Sequence, residues 1–247
     1  MEFMLFFVSR KGAPRGEPGG MAEMTRFASE LASQGKLRRG APLTAESAGA
    51  RVRVRAGKAL VSDGPFPETK EVLGGFWIIE VASRAEAIEI ARRSPHARHG
   101  IVEVHLVLAR HTFADAGKGT PFLLAFGAEP RLTDPDGDKM REMTAFGEAL
   151  AREGKLLETA PLASVSATQA WSRVTGPPHD VPAARIEVRD GKVLVTDGPF
   201  TETKEVIGGY SLVSVAGRAE AIELAKRYPH AKWGTIEVRE IVFFDPT

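Results

Sequence analysis

The sequence predicts an α+β protein made of two diverged copies of one domain. Three observations carry this. One 14-residue segment occurs twice, at 63–76 and 197–210. The residues around it match between the copies over more than 100 positions. Each copy alternates between the period of a strand and the period of a helix in the order strand, helix, strand, hairpin, strand, helix, strand.

The repeat reads DGPFPETKEVLGGF in the first copy and DGPFTETKEVIGGY in the second. The two differ only at Pro67/Thr201, Leu73/Ile207 and Phe76/Tyr210. At the same offset, residues 84–89 recur as 218–223, Pro95-His96-Ala97 as Pro229-His230-Ala231, and Gly100, Glu103 and Val104 as Gly234, Glu237 and Val238. Upstream the offset is smaller: Met21, Met24, Phe27, Leu31 and Gly35-Lys36-Leu37 match Met140, Met143, Phe146, Leu150 and Gly154-Lys155-Leu156. The difference is an insertion in copy two between Ala163 and Ala183, holding Trp171, Pro177-Pro178 and His179. Two long copies make a duplicated domain rather than a solenoid. The expected boundaries are 1–108, a linker at 109–119 rich in glycine, and 120–247.

Within copy one, the apolar run at 3–8 is a strand. Met21, Met24, Phe27, Ala28 and Leu31 fall on one face of a helix that Gly35 stops. Residues 36–43 give a second strand. Arg51-Val52-Arg53-Val54-Arg55 alternates strictly, turns at Ala56-Gly57 and returns through Ala59-Leu60-Val61. The matching turn in copy two, Asp190-Gly191, is a strong two-residue hairpin signal. Residues 76–81 form another strand. Ser83 with Glu86 makes a capping box, and the helix it opens ends before Pro95. The closing strand at 101–108 sets Val102, Val104 and Leu106 on one face and Glu103 and His105 on the other. Two helices among these strands predict a ferredoxin-like sandwich with both helices on one sheet face. The other face of each copy is then bare, and the two copies can cover one another as an intramolecular pseudo-dimer at high effective concentration.

Composition excludes several classes of function. Lysine plus arginine and aspartate plus glutamate nearly balance, 33 against 32, and both signs are spread along the chain. There is no basic stripe for nucleic acid. No apolar run reaches the length of a membrane helix. Cysteine is absent, so disulfides, thiolate metal sites and cysteine nucleophiles are all excluded. That composition suits the cytoplasm.

The duplicated segment, with the Gly-x-(x)-Glu-Val pattern at 100–104 and 234–238, resembles the DGPF branch of the YCII-related family. The resemblance spans both copies nearly end to end. It implies a dimeric α/β barrel of two ferredoxin-like halves and a bacterial protein, in some cases associated with extracytoplasmic-function sigma factors. No activity comes with it. His105 departs from the pattern, since copy two has Arg239 there.

The segment carries groups suited to acid–base work on a small molecule. Asp63 and Asp197 end a strand, and Phe66 and Phe200 are apolar anchors. Glu68, Thr69, Lys70 and Glu202, Thr203, Lys204 offer a carboxylate, a hydroxyl and an ammonium. The rival reading makes the segment a turn and a packing device between the copies. His96 and His230 follow the helix-ending prolines, either as caps on the helix dipole or as bases titrating near neutrality. Glu103 and Glu237 either line a cavity or pair with a cation of the other copy. His96 and His99 alone do not make a metal site, because Trp233 stands at the second position in copy two. No cofactor is expected. The candidate catalytic residues are therefore Asp63, His96, Asp197 and His230. The others are candidate ligand contacts. The leading expectation is a cofactor-independent enzyme acting on a small organic molecule, alone or as a larger homo-oligomer. The alternative is a non-catalytic small-molecule-binding or sigma-factor-associated protein.

Overall fold

The computed structural model describes residues 1–12, 20–113, 119–128, 134, 137–163, 183–189, 192–197 and 206–242. Copy one supplies β1 (Glu2–Arg10), α1 (Gly20–Ser33), β2 (Leu37–Pro42), β3 (Ala50–Arg55), β4 (Lys58–Asp63), β5 (Glu71–Glu80), α2 (Arg84–Arg93) and β6 (Ile101–Leu106). Copy two supplies β8 (Thr120–Ala128), α3 (Asp138–Arg152), β9 (Leu156–Pro161), β10 (Ala184–Arg189), β11 (Lys192–Asp197), β12 (Val206–Val215), α4 (Arg218–Arg227) and β13 (Thr235–Glu240). A short strand, β7 (His111–Thr112), lies inside the expected linker and pairs with β9. Ser83 caps α2 by accepting at Oγ from the Glu86 amide, while the Glu86 carboxylate accepts from the amide of Ala82, one residue before the cap, instead of closing the expected box on Ser83.

The strands make two antiparallel sheets, ordered β11-β10-β6-β1-β5-β2 and β4-β3-β13-β8-β12-β9-β7. The runs β6-β1-β5-β2 and β13-β8-β12-β9, each with its helices against one face, are compatible with two ferredoxin-like domains. The hairpins break the symmetry of ownership. The β3–β4 hairpin of copy one joins β13 of copy two, with Arg51 opposite Glu237. The β10–β11 hairpin of copy two joins β6 of copy one, with Arg185 opposite Glu103. Each sheet therefore carries strands from both halves.

Strand alternation sorts the apolar side chains into three layers. Phe3, Leu5, Val102 and Val104 face α1 and α2, and Phe122, Leu124, Val213 and Ile236 face α3 and α4. The third layer lies between the sheets. It joins Met4, Phe6, Phe76 and Ile78 of one sheet to Leu123, Ala125, Tyr210 and Leu212 of the other. Each large side chain buried there contributes about 1.5–3 kcal/mol. The bare faces expected from the sequence thus cover one another. Two isolated bridges join the sheets at opposite seams, Leu43 with Ile241 and Val107 with Leu162. Among the described residues no continuous ladder closes the sheets into a barrel.

The copies repacked as they diverged. In copy one, Trp77 sits between Phe7 and Phe27, with ring centroids 4.8 and 5.9 Å away. In copy two, the matching Phe126 and Phe146 enclose Tyr228, at 4.9 and 4.7 Å. The indole leaves no room at Gly40, where a Cβ would come within 2.2 Å of Trp77. The equivalent positions of copy two are Thr159 and Ser211, whose hydroxyls bond each other at 2.8 Å, and Ser211 bonds Tyr228 at 2.7 Å. One bulky ring was exchanged for a smaller ring and a hydroxyl chain, which keeps the interior filled.

Candidate functional site

In copy one the duplicated segment is the route by which the chain returns from the exchanged hairpin. Asp63 ends β4 in the seven-stranded sheet, and Glu71 opens β5 in the six-stranded one. The outward route passes residues 43–49, and the two routes touch. A Cβ on Gly64 would lie 2.0 Å from the Glu46 carbonyl oxygen, so the close backbone approach requires glycine there. The Glu46 carboxylate pairs with Lys11 at 3.0 Å and accepts from Thr69 Oγ1 at 3.3 Å. Lys11 also donates to the Phe66 carbonyl. Phe66 is buried beneath the Arg51 guanidinium, 4.2 Å from its ring centroid. Glu68 is exposed and bonds Arg51 at 3.1 Å, and Lys70 is exposed.

The candidate acids and bases fall into two unlike settings. Asp63 and Asp197 are exposed and make reciprocal ion pairs between the copies, Asp63 with Arg218 and Asp197 with Arg84. His96 lies elsewhere, behind the six-stranded sheet. Its Nε2–H donates to the Val8 carbonyl at 2.9 Å, and the His230 Nε2–H donates likewise to Gly127. The His230 Nδ1 accepts from the Trp233 indole at 3.2 Å. Burial pushes His96 below the ordinary histidine range, while the Val8 carbonyl pulls the other way. These rings also dictate Gly100 and Gly234, where a Cβ would meet them at 2.3 and 2.2 Å. No hydrogen bond or ion pair joins Asp63 to His96 among the described residues. Phe200, Glu202, Thr203 and Lys204, the turn Asp190-Gly191, the insertion residues Trp171, Pro177, Pro178 and His179, and linker residues 114–118 lie outside the described residues.

A more reactive constellation sits where each hairpin docks. In copy one, Glu103 and His105 face the space between the sheets, both buried, with His105 Nε2 at 3.0 Å from Glu103 Oε2. Arg185, from the exchanged hairpin, donates to Glu103 Oε1 at 2.8 Å and to both oxygens of Glu71. Burial opposes a charge on Glu103, but His105 and Arg185 outweigh it and hold the carboxyl down at about 2. An ionised carboxylate accepts from Nε2–H, and in the neutral ring the lone pair then sits on Nδ1. That Nδ1 is buried and has no hydrogen-bond partner among the described residues. In copy two, Arg51 donates to Glu237 at 2.9 Å, and the fully buried Arg239 donates to Glu237 at 3.1 Å and to the Thr44 carbonyl. Phe6 packs edge-on to His105 at 5.6 Å, and the matching positions of copy two hold the smaller Ala125 and the longer Arg239.

The carboxyl of Glu103 makes stability pH-dependent. Its folded pKa of about 2 lies below the ordinary carboxyl value of 4.5, so its contribution is complete above pH 4.5 and is lost as pH falls toward 2. Urea titrations are expected to lose roughly 3 kcal/mol over that window. In Glu103→Gln that part of the loss is absent.

Sequence reasoning named Glu103 and Glu237 as candidate contacts but gave no site role to Arg51, Arg185, Arg239 or His105. The signal was present. Strict alternation in 51–55 places every arginine of that strand on one face, and the glutamates occupy the less apolar face of the closing strands. No set of three or more His, Cys, Asp or Glu among the described residues could hold a metal ion. No helix among them is long and apolar enough to cross a membrane.

Comparison with known proteins agrees with the duplication. An uncharacterized protein, R00369, of Rhizobium meliloti (strain 1021) is 42% identical over 72 residues, which cover 29% of this chain and 58% of that protein. The model of the YCII-related domain matches twice, at residues 1–110 and 121–245. The chain belongs to the YCII-related family, as a tandem of two such domains.

Proposed function

We propose that the chain is a cofactor-independent enzyme that moves a proton on a small organic molecule, with one working site per chain, at Glu103 and His105. The observation that carries this reading is the buried His105 Nδ1, unpartnered among the described residues, on a ring whose other nitrogen is held by an ionised carboxylate. A carboxylate that fixes the tautomer and orientation of an imidazole leaves the far nitrogen as a general base. Arg185 holds the same carboxylate in place from the other half. Copy two lacks this chemistry, because a guanidinium at Arg239 neither accepts nor releases a proton near neutrality. In this reading the two sheets act as halves of one barrel, supported by the bridges at both seams, and the substrate enters between them.

The test is hydrogen–deuterium exchange at carbon. Wild type and His105→Arg are incubated in D₂O with a panel of small carbonyl and hydroxy compounds, and deuterium incorporation is followed by NMR. Incorporation by wild type that His105→Arg loses, with Tm unchanged, supports the proposal. Equal incorporation by both overturns it. Ligands that raise Tm in both without exchange support the non-catalytic alternative.

A further inference from the structure

A second buried charge cluster bears on which half pairs with which, independently of any activity. Glu158 on β9 is fully buried in the space between the sheets. It accepts from the Tyr210 hydroxyl and pairs with Arg39 at 3.4 Å and Arg110 at 3.3 Å. Arg110 in turn holds Glu2 at 2.6 Å. Burial pushes the Tyr210 phenol well above its ordinary range, with the Glu158 charge acting in the same direction, so Tyr210 serves as a donor to Glu158.

Arg39 and Glu158 occupy equivalent positions in the two copies. Arg39 stands opposite Ile78 in the β2–β5 ladder, and Glu158 stands opposite Leu212 in the β9–β12 ladder. Ile78 and Leu212 match at the offset of the duplicated segment. Two equivalent residues that touch must straddle the pseudo-two-fold axis relating the copies. Whatever stands at this position therefore meets its own counterpart. Two N-terminal halves would set Arg39 against Arg39, and two C-terminal halves would set Glu158 against Glu158. Like charges a few ångströms apart in a buried setting are strongly unfavourable. Only the mixed pairing neutralises both.

We infer that Arg39 and Glu158 act as a recognition key: an N-terminal half accepts a C-terminal half, of its own chain or of a second copy, and rejects another N-terminal half. Opposite charge at an axial position, with like-charge clash in the wrong pairings, is a means of specifying partners.

The test uses the full chain as Arg39→Glu, as Glu158→Arg, as the double variant, and as an equimolar mixture of the two single variants refolded together from denaturant. Tm is read by scanning calorimetry, and mass by light scattering and native mass spectrometry. Each single variant is expected to melt roughly 10 °C below wild type. The double variant melts above both single variants, since it restores the pair at 39 and 158 while the Arg110 pair with Glu158 stays broken. The mixture gives a species of twice the chain mass, holding one of each variant and melting near the double variant, since each defective half finds its complement in the other chain. Single variants that melt like wild type overturn the inference. So does failure of either the double variant or the mixture to recover.

Discussion

Arg185→Leu is expected to destabilise the folded chain by about 3–5 kcal/mol, the cost of removing one partner from a buried ion pair. For a chain of this size that is a fall in Tm of roughly 10 °C. The guanidinium serves two carboxylates at once, Glu103 and Glu71. Glu103 is buried and cannot regain water in exchange. The second consequence is in pH. Arg185 is one of the two groups that hold Glu103 ionised, so without it the folded carboxyl moves back toward its ordinary value and less stability is lost as pH falls from 4.5. Urea titrations at several pH values read both effects. A variant as stable as wild type, with the same acid limb, contradicts the docking described for the hairpin.

Phe66→Ala is expected to cost about 3–5 kcal/mol, the range for truncating a buried aromatic side chain. Phe66 is the buried residue of the returning crossover. It lies under Arg51 while its own carbonyl accepts from Lys11 and from Thr69 Oγ1. Its loss loosens the ring and the two routes it holds together. Asp63→Asn supplies the contrast. Asp63 is exposed, its pair with Arg218 is a surface one, and its removal is expected to cost at most about 1 kcal/mol. Chemical denaturation of both variants ranks them. The reverse order contradicts the view that the duplicated segment holds the fold together through its buried anchor.

Much of the fold was legible because periodicity is local. Met21, Met24, Phe27 and Leu31 marked α1, and the alternation of 51–55 marked β3. Glu103 and His105 could be set on the less apolar face of β6 from the pattern alone. The exchange of hairpins was not legible, for a symmetric reason. Both closing strands carry a glutamate at the position where a hairpin arginine docks, so Arg51 is served equally well by Glu103 or Glu237 in sequence terms. What decides between them is the path of residues 43–49 and 63–71, which is a property of the assembled sheets. The role of Asp63 was hidden likewise. Its partner Arg218 is the first residue of a helix in the other half, and nothing near either residue announces the pair.

Each half lends its hairpin to the sheet of the other. Inter-strand NOEs in a uniformly labelled sample test it most directly, between the backbone protons of Arg51 and Glu237 and between those of Arg185 and Glu103. Strong cross-strand NOEs are expected for these two pairs. NOEs instead between Arg51 and Glu103, and between Arg185 and Glu237, would place each hairpin in its own half and contradict it.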